Sequence, residues 1–203
     1  MTKNEAAAAL KSLLRESGKK FASEDLVGFL NTALADLGRV KPRVMVGELT
    51  LIADQPFYLP PADLVRPLYS NWGRAELMGN RPWNSDWPGR LPRLGLVVRS
   101  GSRLLELDPA PVQTQITLMG AAYGYHYQAG YALGDQEAQT TLPAAFDQLL
   151  LVRALSAVML SLALGGVTKP VELGKAGIGG LPKNGAPAYL ADELLDLFER
   201  MAA

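Results

Sequence analysis

Between Gln55 and Gly73 the chain reads QPFYLPPADLVRPLYSNWG, with four prolines and two charges, Asp63 and Arg66. Each proline fixes φ and removes a backbone donor, and the residue before it is pushed toward extended geometry. No helix can run through such a segment, so the fold must hold an ordered, apolar, extended ribbon. The flanking sequence has the opposite character. Thr2-Lys3-Asn4-Glu5 reads as a capping box, and Ala6, Leu10, Leu13 and Leu14 then recur at helical spacing until Gly18. Ser23 opens a second helix whose apolar face is Leu26, Leu30, Ala33 and Leu37, with Gly38 as its expected stop.

After Arg39 the pattern changes to alternation. RVMVGELTLIADQPFYLPP predicts one or two strands between Val44 and Leu59, and ADLVRPLYSNW (62–72) a further extended piece. Ser100-Gly101, between the apolar runs Leu94–Val98 and Leu104–Leu107, predicts a hairpin. TQITLMGAAYGYHYQAGY then reads as one long strand. Its period of two puts Met119, Tyr123, Tyr125 and Tyr127 on one face, and Ile116, Leu118, Gly120, Ala122 and Gly124 on the other. A face of small residues predicts another backbone close by. Thr141-Leu142-Pro143 opens the longest helix, 142–164, apolar around most of its circumference and expected to be the core against helices 4–17 and 24–37.

Residues 165–187 are dense in glycine, proline and lysine and poor in apolar side chains, which predicts a flexible linker. The segment AYLADELLDLFERMAA after it predicts an amphipathic helix with Leu190, Leu194, Leu197, Phe198 and Met201 on one face. The expected class is therefore α+β: a small helical bundle with a long central helix, a hairpin and extended-strand region, and a C-terminal arm ending in a helix. The expected division is a core domain over 1–165, a linker over 166–187 and a docking helix over 188–203.

Composition narrows the chemistry. Lys and Arg number 20 against 20 Asp and Glu, so overall charge points to no dedicated nucleic-acid or acidic-membrane binder. The absence of cysteine excludes disulfides, thiol nucleophiles and cysteine metal sites. The N-terminus carries Glu5 in its short apolar stretch and no cleavage motif, and the run Ala154–Gly166 is too short to span a bilayer; a soluble protein is expected. His126 is the one histidine, so it has no partner of metal-ligand spacing and reads as structural. GKAGIGG (174–180) lacks the Gly-Lys-Ser/Thr ending of a phosphate loop and no strand precedes it. Asp192, Glu193 and Asp196 fall on the solvated face of the last helix. No catalytic set, cofactor or metal is expected.

One region stands apart. GRAELMGNRPWNSDWPGRLPR, from Gly73 to Arg93, holds three prolines, two tryptophans and four arginines. Connections this long in compact domains are functional or disordered, and tryptophan and arginine are enriched at binding hot spots. Arg81, Trp83, Trp87 and Arg90 are the candidate anchors of a contact with a protein partner or DNA backbone; the competing reading is a loop whose tryptophans form a satellite core. Leu190, Leu194, Leu197 and Phe198 are the candidate contact residues of the terminal helix.

Three features, in order, resemble the head-to-tail adaptor (connector) proteins of tailed bacteriophages: two short helices followed by FYLPPAD; LLELDPAPVQTQITLMGAAYGYHY; and TLPAAFDQLLLVRALSAVMLSLAL. The likeness spans residues 3 to 165, and the chain departs from it at the doubled proline 60–61, the Trp/Arg loop and the C-terminal extension. The resemblance implies a non-enzymatic virion protein that forms a homo-oligomeric ring, commonly a dodecamer, between portal and tail or stopper protein. DNA would pass non-specifically through its channel. It also implies location in the virion neck after assembly in the host cytoplasm, without a membrane partner. The alternative is a carbohydrate-binding or tail-fibre-like interaction module, which would share the wealth of tyrosine and tryptophan.

Overall fold

The structure is a computed structural model and describes residues 1–79, 81–84, 87–174 and 177–203. In chain order the elements begin with α1 (Lys3–Leu14), a 3-10 stretch (Arg15–Lys20), α2 (Ser23–Val40), β1 (Arg43–Thr50), β2 (Phe57–Tyr58), β3 (Leu64–Ser70) and α3 (Arg74–Gly79). There follow β4 (Arg93–Arg99), β5 (Ser102–Asp108), α4 (Gln113–Met119), β6 (Ala122–Ala129), α5 (Asp147–Leu164), β7 (Val171–Glu172), β8 (Asn184–Gly185) and α6 (Pro187–Ala202). The protein is α+β, and its chain divides into two compact units: Met1–Pro42 with Tyr131–Ala203, and Arg43–Gly130, the second inserted in sequence between the halves of the first.

The first unit is a helical bundle built on α5. Because apolar residues occupy nearly every side of that helix, it must be covered all round, and Leu150, Val152, Leu155, Val158 and Met159 are fully buried. The covering helices are α1, α2 and α6. Two polar clasps fix their register. Arg153 donates from Nε and Nη2 to Asp36 Oδ2 on α2 at 2.8 and 2.6 Å, and buried Ser156 donates its hydroxyl to the Ala191 carbonyl of α6 at 2.9 Å. By length and composition Ala144–Leu164 could cross a membrane, but 56% of that window is buried inside the protein, as for a core helix. The N-terminus of α1 is capped reciprocally: Thr2 N donates to Glu5 Oε2 at 2.7 Å and Glu5 N to Thr2 Oγ1 at 3.3 Å. Gly38, expected to stop α2, lies inside it. The helix ends before Pro42, with Lys41 N still bonded to the Leu37 carbonyl and the Tyr131 hydroxyl donating to the Lys41 carbonyl at 2.9 Å.

The C-terminal segment departs from the expected open arm. Residues 166–187 carry the β7–β8 pair and bury Val171, Leu173 and Ile178 in the bundle core. Gly174 N donates to the Leu13 carbonyl at 2.7 Å, and a Cβ at Gly174 would come within 3.0 Å of the Ser12 carbonyl, so glycine permits the strap to lie against α1. Pro187 sits in the first turn of α6, where its missing N–H costs nothing. Leu190, Leu194, Leu197 and Phe198 are all buried, packed in the core that α5 anchors. The terminal helix is therefore docked on its own chain, because a few apolar residues in a glycine-rich strap suffice once a core is there to receive them. Met201, expected with them, is exposed.

The second unit consists of two antiparallel three-stranded sheets, β1-β6-β3 and β2-β5-β4. In the first, β1 and β6 pair without a break from Arg43↔Ala129 to Thr50↔Ala122, whereas β3 pairs with shifts on either side of Pro67, as a proline in an edge strand requires. In the second, Ser100 and Gly101 turn the β4–β5 hairpin with φ of 50° and 80°, the two positive values of a I′ turn. One apolar core draws on both sheets, with Leu49, Leu64, Leu105, Leu107, Tyr123 and Tyr125 at its centre. The predicted inward face of Tyr123, Tyr125 and Tyr127 is present. Gly47 faces Tyr125, and a Cβ there would meet the ring at 2.6 Å, so this residue must be small. The strand is shorter than expected, however. Residues 113–119 form α4, which Gly120 ends at φ 84°, and Gly124 faces open space rather than a neighbouring backbone.

Candidate functional site

The proline ribbon is held at Asp63. Tyr127 donates its hydroxyl to Asp63 Oδ1 at 3.1 Å, Arg43 Nη2 lies 3.5 Å from Oδ2, and Gly130 N donates to the Asp63 carbonyl at 2.8 Å. The acid at the end of Leu59-Pro60-Pro61-Ala62-Asp63 thus ties the ribbon to both strands at the Arg43–Ala129 end of the β1–β6 ladder. Burial, reinforced by the neighbouring Tyr127 and Asp63, pushes the Tyr125 phenol up to about 12. Burial likewise raises Tyr123, and burial with the bond to Asp63 raises Tyr127. These tyrosines are structural. His126 lies on the opposite side of β6, its ring stacked on Tyr69 with centroids 4.5 Å apart. Among the described residues no group of three or more His, Cys, Asp or Glu is arranged to hold a metal ion.

The ribbon leaves apolar side chains in solvent. Leu59, Val65, Leu68 and Tyr69 are exposed along it, and Val44 and Val46 are exposed on β1. The register sets Val46 opposite His126 and Tyr69 opposite His126 from the other side, so Val46, His126 and Tyr69 form a row across the outer face of this sheet.

A cleft of about 550 Å³ is the second feature of this unit. Its lining includes Trp72, Arg74, Trp87, Arg90, Arg93 and Tyr123. The walls are fixed by the local sequence. Gly73 turns the chain at φ 69°, and a Cβ there would collide with the Met119 sulfur, so Trp72 and Arg74 are set on either side of a position only glycine can fill. Trp72 donates its indole N–H to the Gly120 carbonyl at 3.1 Å and rests against Tyr123 with ring centroids 5.5 Å apart. The opposite wall is pinned by Gln115, buried on α4 with 3% of its surface exposed. Its amide nitrogen donates to the Pro88 carbonyl at 2.8 Å and the Arg90 carbonyl at 3.0 Å, while its oxygen accepts from Val112 N at 3.1 Å. One buried side chain therefore holds the C-terminal half of the Trp/Arg loop.

The four anchors predicted in that loop are not brought together. Trp87, half-buried, and Arg90 line the cleft, Arg90 with an exposed ion pair to Asp108 at 3.4 Å. Trp83 is 80% exposed and Arg81 is exposed, and neither lines the cleft. Residues 80, 85 and 86 of the loop, like 175 and 176 of the GKAGIGG segment, lie outside the described residues. Leu190, Leu194, Leu197 and Phe198 belong to the other unit and are interior. The sequence reading missed Trp72, Arg74 and Arg93 as cleft residues, although the Trp-Gly-Arg triplet at 72–74 was a usable signal. It also missed Gln115, because a buried amide cannot be told from an exposed one in a segment read as strand. In comparisons with known proteins, no family model matches the chain and no curated protein shows significant similarity to it.

Proposed function

We propose that the protein is a non-catalytic virion subunit that assembles into a ring-shaped head-to-tail connector between portal and tail, with a central channel for DNA. The observation that carries this reading is the set of apolar side chains left in solvent on the ribbon and its sheet, Val44, Val46, Val65, Leu68 and Tyr69, of which Val46 and Tyr69 flank His126 in one row. Isolated soluble chains keep such patches small, and contiguous ones mark surfaces that are covered in an assembly. The β3 edge, bulged at Pro67, is blunted against ladder pairing, so side-chain packing on this face is the better means of contact. A repeated head-to-tail contact closes into a ring when its rotation permits. Balanced charge suits a channel through which DNA slides, since each phosphate contact adds salt-dependent affinity. Trp83 and Arg81, exposed outside the cleft, are the contact residues for the portal or the tail-side protein. The segment ending in α6 does not serve as a free arm in this reading, because its apolar face is occupied.

The test is Val46→Glu. The side chain is 67% exposed, so the change leaves the folded monomer intact and sets a charge on this face. Loss of rings on electron micrographs with an unchanged melting curve supports the proposal; rings formed as readily as by the parent chain refute it. A carbohydrate-binding module is the second reading, favoured by the aromatic lining of the cleft.

A further inference from the structure

The cleft lined by Trp72, Trp87 and three arginines is not used by the ring proposal, and its chemistry is specific. Its hydroxyls are committed. Ser70 donates to the Gly124 carbonyl at 2.6 Å and accepts from Trp72 N at 3.1 Å, and Tyr123 donates to the Pro92 carbonyl at 3.4 Å. The indole N–H of Trp72 is committed as well. What remains for a ligand is guanidinium and aromatic surface. Among the described residues Arg93 makes no ion pair, Arg74 bonds the neutral Asn71 Oδ1 at 3.4 Å and makes no ion pair, and Arg90 shares Asp108 at 3.4 Å. A neutral sugar would find donors but the cleft's own hydroxyls already bonded, whereas an anion matches these donors in charge as well.

The cations are also pre-positioned at their backbones. Arg74 follows Gly73 into α3, the Arg90 carbonyl is held by Gln115, and Arg93 begins β4 in register with Asp108. Guanidinium groups carried on backbones fixed this way suit phosphate, whose oxygens accept paired N–H donors. The indoles of Trp72 and Trp87 supply surface on which a planar ring stacks. The volume, about 550 Å³, lies within the range of about 300–1,000 Å³ typical of small-ligand sites.

We propose that this cleft binds a phosphate-bearing planar ring, a nucleoside phosphate, either free or as one unit of a nucleic-acid strand. The site is complete within residues 70–123, so it functions in the monomer, and its failure would leave the ring proposal standing. All three tryptophans of the chain lie in this unit and two of them, Trp72 and Trp87, line the cleft, so indole fluorescence reports on it. The experiment titrates the full-length protein with adenosine 5′-monophosphate, adenosine, and a short oligothymidylate, following tryptophan fluorescence. The nucleotide or the oligonucleotide should quench saturably, adenosine should bind at least about tenfold more weakly, and added salt should weaken binding, as for a contact made through charge-assisted bonds. A response to the oligonucleotide alone identifies a strand unit as the ligand, and one to the mononucleotide alone identifies a free nucleotide. Arg93→Gln and Arg74→Gln, both at exposed positions, should each weaken binding by about tenfold with circular dichroism and melting unchanged. The proposal is overturned if neither phosphate-bearing probe gives a saturable response, if adenosine binds equally well, or if both arginine variants bind like the parent.

Discussion

Replacing Gln115 by leucine tests whether one buried amide holds the cleft wall. The two side chains are similar in size, so the change removes hydrogen bonds with little loss of volume. It deletes two donated bonds and one accepted bond, to Pro88, Arg90 and Val112. A fully buried orphaned group costs about 1–3 kcal/mol. Only the Pro88 bond is fully buried; counting the other two at roughly half gives a total of about 2–6 kcal/mol, less about 1 kcal/mol for the added apolar surface. A loss of about 1–5 kcal/mol in a unit of this size corresponds to a fall in Tm of at least about 4 °C. Tryptophan fluorescence during urea unfolding reads this unit alone, and hydrogen exchange of residues 87–93 reads the wall directly. Gln113→Leu is the control, since Gln113 sits on the same helix with an exposed bond to Thr117. If Gln115→Leu melts within about 2 °C of the parent, a shift of well under 1 kcal/mol, and exchange in 87–93 is unchanged, the wall is held by something else and the argument for a pre-formed cleft fails.

Three further outcomes are expected. A chain ending at Gly165 loses α6 and the strap, uncovering α5 where Ser156 met Ala191; it should be aggregated or molten by circular dichroism and gel filtration, and a cooperatively folded, soluble product would contradict the packing described. The raised phenols of Tyr123, Tyr125 and Tyr127 keep their protons in the folded state while the unfolded chain begins to lose them near pH 10, so stability is full below about pH 10 and falls as pH rises toward about 12; phenolate absorbance at equilibrium should show these tyrosines titrating late, together with unfolding. Trp83→Ala should leave melting unchanged and impair attachment to portal or tail, whereas a drop in Tm would assign Trp83 to a satellite core.

Much of this fold was legible because its signals are local. The capping box at Thr2, the 3.6-residue period of α1 and α2, the turn at Ser100-Gly101 and the all-round apolar character of α5 each follow from a few neighbouring residues, and each is present. What was not legible depends on contacts distant in sequence. Residues 113–119 alternate as well as they coil, and only the burial of Gln115 and the turn at Gly120 decide for helix. The strap at 166–187 has too few apolar residues to fold alone, and nothing in its composition reveals that Val171, Leu173 and Ile178 reach a core made by other helices. Trp83 and Trp87 are four residues apart and equivalent in sequence. One is in solvent and the other in a cleft wall because Gln115 grips the chain just after Trp87 and not beside Trp83.

Assembly is the centre of the proposed function, and it can be observed without any substitution. Electron microscopy of the purified full-length protein, alone and mixed with portal rings, should show closed rings of uniform diameter with a central hole wide enough for duplex DNA. Dispersed monomers in both samples, at every concentration tried, would contradict the account.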